Sequence, residues 1–503
     1  MHFPTEPIVT TVIQALDEIV APSVRSEEAK IAVDLCLRLL RLIGAEARQP
    51  PDLQTQRDRK GVAILQSLEP LGVAGATAQA GDTRLRLETA FTEMLQRRSS
   101  DASLRTRQAD AFETLLNEEK RFLVALDPEA ADGIASVYQR GHLSRDAASA
   151  VPEPAVHRFT ADLLQSYFRS HGDSGEQVTV EHLHLVSGGF NKETLLVDVV
   201  RGATTEALVI RRDLPVAATD MSVVDEFPLL RAVFEAGLKV AEPLWLETSR
   251  QVIGQPFLVA RKVAGNTDIA GWRNRAECLA MFADDLAAQL ALLHRVDVGS
   301  LLPADAPICP PVPELVGTEI ERWWSLYRRR REPDESSPLF ASEHAWLLAN
   351  IPGDDTRPVI VHADIGFHNL LTVDGRIEAI LDWEFAHLGD PQEDLNYIRP
   401  FLEPLGIWEA FVAGYREHGG CAYREDQAGF WAVWQSFRNG LGCVGALAAF
   451  RSGRCVSPDA ALKLAVAGLN FGPRYAVEAA EQVLKELRRR SATPAASSGV
   501  LPS

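Results

Sequence analysis

Apolar positions between residues 359 and 381 fall into three short runs: Val359-Ile360-Val361, Leu370-Leu371-Thr372-Val373 and Ile377-Glu378-Ala379-Ile380-Leu381. Runs of this length and composition predict strands, and Asp374-Gly375 between the last two predicts a hairpin turn. Upstream, residues 182–199 alternate like a strand, break at Ser187-Gly188-Gly189 and alternate again, which predicts a second hairpin. Residues 207–212 form a further strand ending in two cations, Arg211 and Arg212, on opposite faces, with Arg212 expected in solvent. Residues 225–234 switch to helical spacing with Glu226 near the start, and 256–265 return to an apolar strand. Residues 286–297 read as an apolar helix closing on Leu293-His294, with His294 expected to pack.

A helical period governs both ends of the chain. Ile31, Leu35, Leu39 and Leu42 share one face of 27–43, and Leu87, Phe91, Met94 and Leu95 share one face of 82–98. A third helix is expected over 106–126, ending before Asp127-Pro128, and a short one over 157–171. Polar, proline-bearing stretches at 49–52 and 149–154 read as linkers. Residues 427–450 are apolar enough to raise the question of a membrane span. Gln435, Arg438 and Asn439 stand at their centre, and a charge at the bilayer midplane is costly, so a buried helix at the substrate cleft is expected.

With 503 residues and 46% hydrophobic content, the chain is long enough for more than one packed core. A net charge of −18 with no basic stripe excludes a nucleic-acid partner as the expected ligand. Six cysteines without a CxxC pair fit reduced thiols, and the opening Met1-His2-Phe3-Pro4-Thr5-Glu6 lacks the basic and apolar regions of a secretion signal. A cytoplasmic protein with no membrane segment is the expectation.

The chemistry concentrates where the three strands are. His362, Asp364, Asn369 and Asp382 lie within one short stretch, VIVHADIGFHNLLTVDGRIEAILDWEFAHLGDPQEDL. A carboxylate flanked by a histidine, an amide one short loop later and a second carboxylate at a strand end can orient a hydroxyl and hold a cation on a nucleotide triphosphate. Phosphoryl transfer is the reaction this set suggests. His362 is expected to hold the loop by hydrogen bonding rather than to shuttle a proton, and His368 and His387 are given no role. Asp390 and Asp394 are expected to stabilise the loop and the following helix start.

His362-Ala363-Asp364, Asn369 and Ile380-Leu381-Asp382-Trp383-Glu384, followed by Gly389-Asp390-Pro391 and Asp394-Leu395, resemble the catalytic and metal-binding segments of the aminoglycoside phosphotransferase and choline kinase superfamily, relatives of the protein kinases. The resemblance covers about residues 175–490 and implies an α+β, two-lobed protein-kinase-like fold, with a small antiparallel amino-terminal lobe and a mainly helical carboxyl-terminal lobe, preceded by an all-α segment. It implies Asp364 as catalytic base and Asn369 with Asp382 as ligands of Mg²⁺. It implies ATP held by the turn at Ser187, Gly188 and Gly189, by Arg211 paired with Glu226, and by backbone groups from Arg261 to Val263. Arginine at 211, where kinases have lysine, suits phosphate because it grips two oxygens at once. Where the family has glycine this chain has Ala363, which a positive φ would strain.

The expected organisation is a helical segment at 1–150, a linker with a short helix at 151–175, lobes at 176–265 and 266–490, and a disordered tail at 491–503. The helical segment is read as a bundle for dimerisation, giving a homodimer, or for covering the kinase-like lobe. The expected activity is ATP-dependent transfer of the γ-phosphate to a hydroxyl of a small molecule; the alternative is a catalytically idle kinase-like fold that binds nucleotide or a partner. A cationic acceptor such as an aminoglycoside or choline would use Glu393, Glu403, Glu409, Glu417, Glu425 and Asp426. A hydroxyacyl-CoA-like or other metabolic alcohol bearing negative charge would use Arg399, Arg438, Arg451 and Arg454.

Overall fold

The computed structural model describes residues 9, 12–14, 16–21, 24–25, 27–48, 53–73, 82–97, 101–126, 160–170, 177–186, 191–214, 219–301, 309–332, 336–353, 356–452 and 458–492. The Ser187-Gly188-Gly189 turn, the stretches 49–52 and 149–154, and Arg454 lie outside the described residues.

The chain is α+β. Helices α1 (Glu27–Arg48), α2 (Leu53–Leu68), α3 (Thr83–Gln96) and α4 (Ala102–Leu126) come first, then α5 (Ala161–Ser170) and the strands β1 (Val178–Val186), β2 (Lys192–Arg201) and β3 (Thr204–Asp213). Helix α6 (Val223–Glu235) precedes β4 (Pro243–Glu247) and β5 (Phe257–Arg261). These strands form one antiparallel sheet in the order β1-β2-β3-β5-β4, which puts β3 and its two arginines at the centre. Leu164, Tyr167 and Phe168 of α5 close one face of this sheet against Val197, Val199, Ile210 and Phe257.

The larger lobe contains α7 (Ala276–Leu293), α8 (Val312–Arg330) and α9 (Pro338–Asn350), then the short strands β6 (Val359–Val361), β7 (Leu370–Val373), β8 (Arg376–Ile380) and β9 (His387–Gly389). It continues through α10 (Pro391–Leu402), α11 (Trp408–Glu417), α12 (Ala428–Arg451), α13 (Pro458–Val466) and α14 (Gly472–Ala492). The β7–β8 hairpin turns at Asp374 and Gly375 with φ of 49° and 83°, the double positive φ of the tight turn that Asp-Gly favours. Glycine is needed for a second reason: a Cβ at 375 would stand 2.5 Å from the Cys278 carbonyl. No helix among the described residues is long and apolar enough to cross a membrane.

Among the described residues, α2, α3 and α4 share their core with the larger lobe. Leu65, Phe91, Met94, Phe112 and Leu115 are buried in one continuous cluster with Trp323, Trp346, Trp431, Phe437 and Val483 of the larger lobe. The apolar face of 82–98 that the sequence predicted is thus buried within the chain. Ion pairs follow the same seam: Arg331 to Glu88 at 2.7 Å and Lys120 to Glu481 at 2.6 Å.

Inside the larger lobe, Glu343 of α9 is fully buried, and neither of its carboxyl oxygens has a hydrogen-bond donor. Burial alone pushes its carboxyl well above the ordinary value. A carboxyl protonated in the fold and ionised in the unfolded chain binds its proton more tightly when folded, so the stability it contributes is present at acid pH and lost as pH rises above the unfolded value. Glu343→Gln is therefore expected to melt higher than the parent at pH 8, with the advantage shrinking toward pH 5; an advantage independent of pH in thermal scans would contradict this.

Candidate active site

Antiparallel pairing of β6 with β9, Val361 opposite His387, lays the loop after β6 beside the segment before β9. This brings Asp364, Asn369 and Asp382 to one edge of the larger lobe. Leu381 N–H donates to Asn369 O at 2.8 Å, and His362 Nε2 lies 2.9 Å from Leu381 O. Because His362 Nδ1 accepts from Asp364 N–H at 3.2 Å, the proton sits on Nε2 and donates to Leu381 O. His362 is a brace between the two segments, edge-on to Trp383.

A buried network fixes the loop from below. The Asp394 carboxylate accepts from the backbone N–H of His362 at 2.8 Å and of Ala363 at 2.7 Å. His294 Nε2 stands 3.1 Å from Asp394, and its Nδ1 lies 2.6 Å from Tyr415 OH, so His294 does more than pack: it secures the carboxylate that secures the loop. Asp390 caps α10 by accepting from Gln392 N–H at 2.8 Å. Arg438, fully buried in α12, pairs with Glu393 at 3.0 Å and donates to Ala363 O. This explains the polar interruption in the apolar 427–450 stretch. His387, given no role from sequence, is half-buried and lies 3.2 Å from Glu393. Burial alone would lower its value, and Glu393 with Glu319 outweighs this and raises it to about 9.

Ala363 has φ of +64°, as does Asp382. Left-handed backbone costs a residue with a Cβ about 1–2 kcal/mol. Ala363→Gly is expected to stabilise the protein by about 0.5–1 kcal/mol, read as a higher denaturant midpoint, since glycine's greater unfolded freedom offsets part of the relief.

Asp364 accepts from three side chains: Tyr397 OH on Oδ1, and Asn369 Nδ2 at 2.8 Å and His368 Nε2 at 3.4 Å on Oδ2. Burial pushes its carboxyl up, but His368, Tyr397 and Arg438 outweigh that and hold it below the usual carboxylate range. It is ionised at neutral pH and fit to receive a proton. Asn369 Nδ2 also donates to Asp364 O at 3.0 Å, so both neighbouring acceptors face the amide nitrogen. The amide oxygen is left buried with no donor.

The sheet contributes the cations. Arg211 reaches Glu226 at 2.5 Å and Asp382 at 3.0 Å. Burial would lower its value, and Glu226, Asp382 and Glu384 outweigh this and raise it. Arg212 is not in solvent: it is buried on the opposite face, pairs with Glu193 and donates to Ile253 O at 2.8 Å. The reason is its partners on that face, Glu193 of β2 and the Ile253 carbonyl in the connection between β4 and β5. Arg261 ends β5 with its side chain on Glu242 at 2.5 Å, and Lys262 N–H is taken by Ala207 O, so Val263 begins the coil that crosses to the larger lobe.

Two members of the site were not singled out from sequence. Lys192, at the start of β2, lies 3.1 Å from Glu226 and 3.4 Å from Glu384 with its side chain only 2% exposed. Glu384 also accepts from Asn191 Nδ2 at 2.5 Å. Burial and the neighbouring Asp382 push the Glu384 carboxyl up to about 7 against the pull of Lys192 and Arg211. The only signals were adjacency to the glycine pair and to Asp382.

Residues 182–431 match the phosphotransferase enzyme family designated APH. This part of the chain is similar to that family. Curated relatives include acyl-CoA dehydrogenase family member 11 of rat, 25% identical over 273 residues, and of mouse, 28% identical over 262 residues, covering 52% and 49% of this chain. The matches span 33% and 31% of those relatives, so the chain accounts for about a third of their length. Among solved structures, a Ralstonia eutropha protein described as a candidate aminoglycoside phosphotransferase is 23% identical, with 63% of this chain and 98% of that one covered and a TM-score of 0.46. The macrolide 2′-phosphotransferase of Brachybacterium faecium is 22% identical, with 61% and 98% covered and a TM-score of 0.40.

Proposed function

We propose that this chain is an ATP- and Mg²⁺-dependent phosphotransferase that moves the γ-phosphate to an alcohol group of a small molecule. The observation that carries the reading is the orientation of the Asp364–Asn369 pair. The amide nitrogen is spent on Asp364, the amide oxygen is buried without a donor, and Asp382 follows within the same edge. An oxygen pair of one amide and one carboxylate fits Mg²⁺, which keeps waters and takes its other oxygens from phosphates. Around the same edge, Arg211 pairs with Glu226 and Asp382, and Lys192 with Glu226 and Glu384. Asn369 and Asp382 would hold the ion, which when bound neutralises phosphate charge.

The chain's own groups divide the remaining work. Asp364 orients the acceptor hydroxyl and takes its proton as that oxygen bonds to the γ-phosphorus and the bond to the ADP oxygen breaks. Tyr397 on Oδ1 and Asn369 on Oδ2 fix the plane of the carboxylate. Arg211 is the phosphate-gripping cation, oriented by Glu226, and the backbone from Arg261 to Val263 faces the adenine.

For the acceptor, several of the charges considered above are already engaged. Glu393 is buried on Arg438, while Arg399 holds both Glu403 and Glu425 at 2.7 Å. The names of the curated relatives support a metabolic hydroxylated acceptor over an antibiotic. Nucleotide binding is the direct test of the cation assignment. Arg211→Ala is expected to weaken Mg·ATP affinity by about tenfold to a hundredfold in calorimetry, the worth of a charged hydrogen-bond pair. An unchanged affinity would remove Arg211 from the phosphate grip.

A further inference from the structure

Lys192 is a charged side chain buried where the two lobes meet, and a buried charge is retained only with close partners. It has two, one on each lobe. Glu226 divides its carboxylate between cations, Oε1 to Arg211 at 2.5 Å and Oε2 to Lys192 at 3.1 Å. Glu384 receives Lys192 at 3.4 Å and the adjacent Asn191 at 2.5 Å. Asn191 is itself held by accepting Thr219 N–H at 2.9 Å on its side-chain oxygen and Leu214 N–H at 3.0 Å on its backbone carbonyl. The start of β2 is thereby tied to the segment carrying Asp382, two residues before Glu384.

We infer that Lys192 is a positioning residue of the nucleotide site: by holding Glu226 on one side and Glu384 on the other, it sets the direction of Arg211 and the spacing between the sheet and Asp382. It acts through Arg211 rather than on the phosphates. Its side chain is 2% exposed against 18% for Arg211, and its ammonium is already committed to two carboxylates. Without it, Glu226 keeps one cation instead of two, and Arg211 can turn into that carboxylate and away from Asp382. The inference rests on the nucleotide-binding reading above.

The test compares Mg·ATP affinity by calorimetry in the full chain and in Lys192→Met, Lys192→Arg, Arg211→Ala and the Arg211→Ala/Lys192→Met double variant. Lys192→Met is expected to weaken binding about tenfold or more, and Lys192→Arg to recover most of that loss. The double variant is expected to bind no worse than Arg211→Ala alone, because an effect routed through Arg211 disappears with it. Should Lys192→Met fail to fold, Glu384→Gln takes its place, with a smaller loss that also vanishes in the Arg211→Ala background. Parent-like binding by Lys192→Met, or penalties that multiply in the double variant, overturns the inference alone. A parent that does not bind Mg·ATP overturns it together with the nucleotide reading.

Discussion

Asp364→Ala is expected to lower ATP-dependent phosphoryl transfer by about 10²- to 10⁴-fold, the usual contribution of a positioned general base, while leaving the fold intact. Asp364 is held ionised by donors on both oxygens, so the alanine variant loses the proton acceptor and the group that aims the hydroxyl. Asp364→Asn separates the two. It keeps the shape of the carboxylate but cannot take a proton, and its activity is expected to be as low as that of alanine. Mg·ATP affinity in both variants is expected to stay within about threefold of the parent, since Asp364 interacts with Asn369 through the amide nitrogen and leaves the amide oxygen in place. A large loss of nucleotide affinity would move Asp364 from acceptor side to metal side. Activity would be followed by ADP release once an acceptor is in hand, and by ATP hydrolysis before that.

Arg438→Met is expected to cause the largest loss of stability, about 3 kcal/mol, because it removes one of the two cations, Arg438 and His387, that balance the fully buried Glu393. The same substitution removes the donor to Ala363 O, next to the base, in a backbone already held at φ of +64°. Chemical denaturation should show a midpoint well below that of the parent. Adding Glu393→Gln should restore part of it, since the buried carboxylate short of one of its two cations, more than the lost contact, sets the penalty. If the single variant unfolds like the parent, Arg438 does not anchor the loop.

Local pattern carried much of what positions the site. The strands around Asp364 and Asp382 are short apolar runs with an Asp-Gly turn between two of them, and both signals act over a few residues. The Arg211–Glu226 pair is similarly local, 15 residues apart on an adjoining strand and helix. What sequence could not show depends on pairings between distant segments. Lys192 and Glu384 are 192 residues apart, and each alone reads as an ordinary surface charge. Arg212 follows the alternation of β3, yet whether its face meets solvent depends on what covers the sheet. In the sequence His294 and His387 look like packing or incidental residues because their partners, Asp394 and Glu393, lie on a later helix. The helical period of the first 126 residues is visible, but not that the apolar faces of α2, α3 and α4 join the core of the larger lobe. The expected phosphate turn at Ser187–Gly189 lies outside the described residues.

The central claim is that the edge formed by Asp364, Asn369 and Asp382 performs Mg²⁺-dependent phosphoryl transfer to an alcohol. Its most direct test is a metabolite library incubated with ATP and Mg²⁺ and read by mass spectrometry for the gain of one phosphate, with the parent beside Asp364→Ala and Asp382→Ala. A phosphorylated product made by the parent and lost in both variants is the predicted result. A product formed equally by all three proteins, or none formed by a parent that binds Mg·ATP, would contradict the account.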